Sequence, residues 1–125
     1  MSDQAAKDPI IVWFNGGPGC SSMEGLFAEH GPFVFDDGEN VIKPNPEPWN
    51  KRANLLYIES PAGVGYSFAK TLDDRNHNDM TTSEDAFAAL QSFFKAFTEY
   101  LPNDLYISGE SYAGIYVPYL SWQLH

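Results

Sequence analysis

Leu105-Tyr106-Ile107-Ser108-Gly109-Glu110-Ser111-Tyr112-Ala113-Gly114 runs from an apolar, aromatic and β-branched segment into a turn of small residues, then into a helix-compatible stretch. A strand that passes through such a turn into a helix lifts the residue at its apex clear of the fold. Here the apex is Ser111, flanked two positions away by Gly109 and Ala113, both small enough for strand and helix to approach closely. A serine hydroxyl is a poor nucleophile until a base takes its proton, and it must stand where base and substrate can both reach it. Ser111 is therefore the candidate nucleophile. The same short pattern also describes a plain polar turn, so the assignment depends on its surroundings.

Upstream, Pro9-Ile10-Ile11-Val12-Trp13-Phe14 reads as a buried strand closed by Asn15-Gly16-Gly17-Pro18-Gly19, and Asn54-Leu55-Leu56-Tyr57-Ile58-Glu59 as a second, closed by Ser60-Pro61-Ala62-Gly63-Val64-Gly65. Ser22 to Glu29 reads as a short helix stopped by Gly31-Pro32, and Asn40 to Trp49, with three prolines, as irregular surface chain. Thr81-Thr82-Ser83-Glu84 has the form of a capping box. Ala86, Phe87, Leu90, Phe93, Phe94, Phe97 and Leu101 follow at helical spacing, predicting a helix from about Thr82 to about Tyr100. A further helix runs from the serine turn through Leu124, with Pro118 awkward unless it falls in or near the first turn. Alternating strands and helices predict an α/β fold with a largely parallel sheet, whose chemistry gathers at the carboxyl ends of the strands. All three strong motifs sit there.

Acyl transfer needs backbone N–H donors aimed where the tetrahedral oxyanion forms, and losing one costs on the order of 3 kcal/mol. One donor follows the nucleophile and the other comes from a glycine-rich loop after an early strand. Tyr112 and Gly17 are the candidates. A Gly/Pro-rich turn without chemistry is the competing description of the second loop.

The balance of 17 acidic against 7 basic residues, a net charge of −10, gives nucleic-acid phosphates no electrostatic reason to bind. With 43% hydrophobic and 15% aromatic residues, the chain has the apolar content of a globular unit, not of a disordered one. No run approaches the roughly 18 apolar residues of a membrane span, and residues 1–8, expected to be a disordered tail, show no signal-peptide core. The domain expected is 9–125. No Lys follows glycine-rich spacing and no His/Cys cluster is present, so neither a metal nor a cofactor is expected. Cys20 is the sole cysteine and Asn-x-Ser/Thr is absent, which leaves the compartment open.

Asn15-Gly16-Gly17-Pro18-Gly19-Cys20-Ser21-Ser22, Glu59-Ser60-Pro61-Ala62-Gly63-Val64-Gly65-Tyr66-Ser67 and Gly109-Glu110-Ser111-Tyr112-Ala113-Gly114 closely resemble the three N-terminal signatures of the serine carboxypeptidase family. The resemblance covers nearly the whole chain from about Pro9. It implies the N-terminal portion of an α/β-hydrolase fold, incomplete here, and removal of single residues from the C-termini of peptides or proteins at acidic pH. It matches Ser111 to the nucleophile and the amides of Gly17 and Tyr112 to the oxyanion hole. Asn15, the amide of Gly16, Glu110 and Glu29 match the group that grips the substrate's terminal carboxylate. An acid optimum agrees with physics, because one carboxylate holds another only when one of them keeps a proton. Without the family, Glu29 and Glu110 read as solvated surface acids.

In that family Cys20 pairs with a distant downstream cysteine; within this chain it is expected to be a small buried thiol. The resemblance implies a lysosome, a vacuole or secretion. In α/β-hydrolases the nucleophile is followed along the chain by an acid and then a histidine. After Ser111 there is no acid, and His125 sits at the far end of a helix. His30 and His77 read as surface histidines. The chain is thus expected to be inactive alone and to expose a sheet edge, to be covered by the missing C-terminal half or by a partner chain. A peptidase missing its later residues is the favoured reading. An acyl-transferring variant and an inactive binding or assembly subunit are the alternatives.

Overall fold

Ile10, Val12 and Phe14 alternate with Ile11 and Trp13, and a strand buried on both faces needs both sets to be apolar. In the computed structural model, which describes residues 2, 4–35 and 41–125, this segment is strand β1 (Ile10–Phe14). It lies between two parallel neighbours, β4 (Asn54–Tyr57) and β5 (Leu105–Gly109), in the order β4-β1-β5. Ile10 stands opposite both Asn54 and Leu105, and Phe14 opposite Gly109. The glycine loop after β1 and the Ser111 turn after β5 therefore leave adjacent strands at the same end of the sheet, where open α/β sheets bind their ligands.

One face of β1 packs on two helices, α1 (Asp79–Ala96) and α2 (Ala113–Leu124). Ile10, Val12 and Phe14 are buried there with Ala86, Leu90, Ala113, Tyr116 and Leu120. Each large apolar side chain so enclosed contributes roughly 1.5–3 kcal/mol. On the other face Trp13, 6% exposed, meets the rings of His30 and Trp49 edge-on at 4.2 and 5.7 Å.

Several elements depart from the predicted bounds. α1 starts at Asp79, three residues early, because Asn78 takes the cap: its side chain accepts from the Thr81 N–H while Thr81 Oγ1 accepts from the Asn78 N–H. The box is therefore Asn78/Thr81 and not Thr81/Glu84. Phe97 ends α1 in a non-helical conformation and Leu101 is exposed, so the predicted apolar stripe stops at Phe94. Phe33–Phe35 (β2) and Ile42–Pro44 (β3) pair antiparallel, where irregular chain was expected from Asn40; residue 40 itself lies outside the described residues. From residue 41 the stretch is at the surface as predicted, with Val41, Ile42 and Trp49 exposed. Gly25–Glu29, in the predicted short helix, is wound as a π-helix. Pro118 is the sixth residue of α2, in its second turn and not its first.

Residues 4–8, expected to be a disordered tail, are tied down. The Nδ2 groups of Asn54 and Asn103 each donate to the carbonyls of Ala5 and Asp8 at 2.7–3.0 Å. Among the described residues the parallel sheet ends at β4 and β5, and Tyr106 (55%) and Trp122 (65%) are left exposed. No helix among them is long and apolar enough to cross a membrane.

Candidate active site

Ser111 has φ +53°, the one non-glycine residue in the left-handed region among those described. That conformation costs a β-carbon-bearing residue roughly 1–2 kcal/mol and marks the apex of the turn. Gly109 makes the turn sterically feasible: a Cβ there would stand 2.5 Å from both the Ala113 Cβ and the Phe14 carbonyl oxygen. The first turn of the helix closes through Ala113 N–H to Glu110 O and Gly114 N–H to Ser111 O, both 2.9 Å. Ser111 is exposed at this tip.

The glycine loop after β1 lies against the turn. A Cβ on Gly16 would fall 2.5 Å from the Tyr112 amide nitrogen and 3.0 Å from Ser111 Cβ, so only glycine lets the loop come this close. Gly17 (φ +106°) and Gly19 (φ +89°) reverse the chain beyond it. Gly17 thus follows directly on the residue that has no room for a Cβ beside the Tyr112 amide. Cys20 is exposed, not the buried thiol expected, because it ends a run of exposed residues, 17–20, in the loop beyond the sheet.

Asn15 is 1% exposed, and its amide is oriented by its partners. Oδ1 accepts from Trp13 Nε1 (2.8 Å) and from the Gly25 N–H (3.1 Å). Nδ2 must then face the other way, where it donates to Glu29 Oε1 at 2.7 Å and Glu110 Oε1 at 3.2 Å. Two acids that read as solvated surface groups are joined through one buried amide. Burial pushes the Glu29 carboxyl above its ordinary range, with the Glu110 and Glu24 charges adding to this and the Asn15 hydrogen bond opposing it. Carboxylate oxygens of Glu24, Glu29 and Glu110 all lie within 4.8 Å of one another.

Sequence reasoning missed several supports of this site. Glu59 clamps the glycine loop to the loop after β4, accepting from Ser21 Oγ (2.7 Å) and the Tyr66 N–H (2.8 Å). The Tyr112 hydroxyl donates to Asp79 Oδ1 (2.9 Å), linking the serine turn to the start of α1. Neither surface histidine is at the surface. His30 is 6% exposed, its ring lying between those of Trp49 and Tyr57, because the chain after the π-helix folds inward under the sheet. His77 is half-buried, with Nε2 2.9 Å from the Ala62 carbonyl and Nδ1 3.9 Å from Asp85. It lines a cleft of about 480 Å³ that holds none of the candidate residues. The inverse signal was in the sequence: His30 lies between a helix and Gly31-Pro32, where a chain turns back on its core.

An exposed serine on a strained strand-to-helix turn, at the carboxyl end of a parallel sheet flanked by helices, is the arrangement of an α/β-hydrolase. The serine carboxypeptidase family model matches residues 1–125. The chain belongs to the serine carboxypeptidase family. It is 50% identical to the mouse lysosomal protective protein over 117 residues, 92% of this chain and 24% of the relative. It is 46% identical to serine carboxypeptidase 1 of Hordeum vulgare over 123 residues, 94% of this chain and 25% of that protein. The crystal structure of a prohormone-processing carboxypeptidase of Saccharomyces cerevisiae superposes with a TM-score of 0.84 at 34% identity, over 94% of this chain and 26% of that one. The chain thus spans about a quarter of the length of these relatives.

Proposed function

We propose that this chain carries the nucleophile, the oxyanion donors and the carboxylate grip of a serine carboxypeptidase that removes single residues from peptide C-termini. The observation that carries the reading is the Asn15 amide, which reaches both Glu29 and Glu110 from a loop lying against the Ser111 turn. Ser111 Oγ would attack the carbonyl of the last peptide bond. The amides of Gly17 and Tyr112 would hold the resulting oxyanion, the terminal amino acid would leave, and water would release the acyl group from Ser111. Asn15, the Gly16 amide, Glu29 and Glu110 would hold the terminal carboxylate. Glu29, already pushed up by burial, supplies the proton through which one carboxylate binds another. Raising the pH ionises it and repels the substrate, which favours work in an acidic lumen, a lysosome or vacuole. The mouse relative's name places that protein in the lysosome.

The general base is proposed to come from outside these residues. His30 is enclosed by Trp13, Trp49 and Tyr57, His77 is engaged with Ala62, and no acid follows Ser111. Alone, the chain is expected to bind and not to turn over. The bare edges at β4 and β5 would then be covered by further polypeptide of the parent protein or by a partner chain.

The test is incubation of the purified chain at about pH 5 with a fluorophosphonate probe and a blocked dipeptide, with Ser111→Ala as control. Binding of the dipeptide acid but not of its amide supports the grip, and equal binding of both sinks it. Cleavage dependent on Ser111 would show that a base lies within the chain and overturn the proposal that it comes from elsewhere.

A further inference from the structure

His30 follows Glu29 directly, yet its ring faces away from solvent and back toward the carboxylate site. It stacks on Trp49 at 4.2 Å between centroids and 16° between planes, and on Tyr57 at 5.7 Å and 17°, with Trp13 edge-on at 4.2 Å. Three aromatic neighbours fix the plane of the ring, and the Tyr57 hydroxyl fixes which edge faces which way. Nδ1 lies 3.1 Å from the Tyr57 hydroxyl. Nε2 is buried, has no hydrogen-bond partner, and sits 4.0 Å from Glu29 Oε2. A buried polar atom without a partner is costly, and one aimed at the free oxygen of a functional acid calls for an explanation.

A bare Nε2 lone pair facing a carboxylate oxygen would be repelled, so the ring hydrogen belongs on Nε2, and Nδ1 accepts from the Tyr57 hydroxyl, which as a neutral phenol is free to donate. We propose that His30 is a positioning residue for the carboxylate grip: it presents its Nε2–H to Oε2 of Glu29 and so sets the pH at which that acid gains the proton needed to hold a second carboxylate. This rests on the reading of Asn15, Glu29 and Glu110 as that grip.

The proton balance is simple. When the ring gains a proton it does so at Nδ1, and the Tyr57 hydroxyl turns from donor to acceptor. The positive charge then faces Glu29 through the same Nε2–H and favours the ionised carboxylate. The other charged or titratable groups facing the pair are Glu110, from the turn after β5, Glu24, from the turn before the π-helix, and Tyr57, from β4. Both acids favour the protonated form of Glu29, and Glu110 that of His30, so among the charged groups only the imidazolium joins the Asn15 hydrogen bond in pulling Glu29 toward ionisation. Burial holds His30 below its ordinary value, with Glu110 opposing that, and this brings its titration toward that of Glu29. His30 thus opposes neutralisation of Glu29 and keeps the grip confined to acid.

The test is NMR of the 125-residue chain labelled in its histidine rings and glutamate carboxyls, with Glu29→Gln to assign the Glu29 signal. In the wild type at about pH 7.5 the His30 ring nitrogens should report the Nε2–H tautomer. The Nδ1–H tautomer would overturn the proposal without any variant being needed. In His30→Phe, which keeps an aromatic ring, the Glu29 carboxyl should titrate about one pH unit higher than in the wild type. His30→Gln serves if that variant fails to fold. An unchanged Glu29 midpoint in whichever variant folds overturns the proposal. Neither readout involves a substrate, so failure of the grip assignment is seen separately, as equal binding of a blocked dipeptide acid and its amide.

Discussion

Asn15→Asp exchanges one amide nitrogen for oxygen, with almost no change of shape, at the most constrained polar position of the site. The oxygen that accepts from Trp13 Nε1 and the Gly25 N–H is kept. The other atom changes from a donor into an acceptor 2.7 Å from Glu29 Oε1 and 3.2 Å from Glu110 Oε1. Two oxygens at the shorter of these distances are compatible only with a proton between them, in the manner of an O–H···O⁻ bond. The native state of the variant must therefore bind at least one proton that the unfolded chain releases above about pH 4. A carboxyl whose native pKa is raised costs nothing at pH values below its unfolded pKa. Its cost then grows as pH rises toward the native pKa. One extra proton gives a slope of about 1.4 kcal/mol per pH unit, and so a loss near 3 kcal/mol between about pH 4.5 and about pH 6.5. Against a total of about 5–15 kcal/mol for a folded domain this is readily measured. Urea unfolding followed by tryptophan fluorescence, wild type beside variant across that range, reads it directly. Trp13 donates to the mutated side chain and reports on the site. A difference between the two proteins that stays constant with pH would refute the shared-proton reasoning.

Other expectations follow from single contacts. Gly16→Ala places a methyl 2.5 Å from the Tyr112 amide nitrogen, where backbone and not a flexible side chain must yield. Binding of a blocked dipeptide acid, whose carboxylate the Gly16 amide is proposed to hold, should weaken at least about tenfold while the far-ultraviolet circular dichroism is kept. Gly109→Ala meets the Ala113 Cβ and the Phe14 carbonyl at the same distance and should cost about 1–3 kcal/mol or more in urea unfolding. Glu29→Gln removes an acid whose ionisation the fold opposes, so it should stabilise slightly near pH 7, by less than about 1 kcal/mol given its partial exposure, and not at all near pH 4. Asn54→Ala releases the carbonyls of Ala5 and Asp8 and should speed tryptic cleavage at Lys7; an unchanged rate would show that Asn103 suffices.

Local chemistry was enough to place the loops of the candidate site. Alternation along Ile10–Phe14, the apolar run into Gly109 and the small residues around Ser111 each act over a few neighbouring positions, where sterics and hydrogen bonding are set by the chain itself. For that reason the α/β class and Ser111 as the candidate nucleophile were legible without coordinates, while the order β4-β1-β5 was not. Asn15, Glu29 and Glu110 were legible as a group only through resemblance to a family, since nothing local brings residues 15, 29 and 110 together.

What the tertiary structure decided is which polar groups left water. His30 and His77 looked like surface histidines because each stands in a polar or turn-forming stretch, and burial is not a property of a stretch. The cap of α1 went to Asn78 because its side chain and that of Thr81 could satisfy each other's N–H groups, a competition that the equally spaced pattern at Thr81 and Glu84 could not reveal. The N-terminal segment is held by Asn54 and Asn103, both distant in sequence. The sequence by itself determined the three strands of the parallel sheet, the two long helices and the candidate nucleophile, since these rest on periodicity and on turn sterics. The environment of each acid and histidine was decided only when β1 brought its neighbours' loops together, because desolvation and charge proximity depend on three-dimensional distance and not on spacing along the chain.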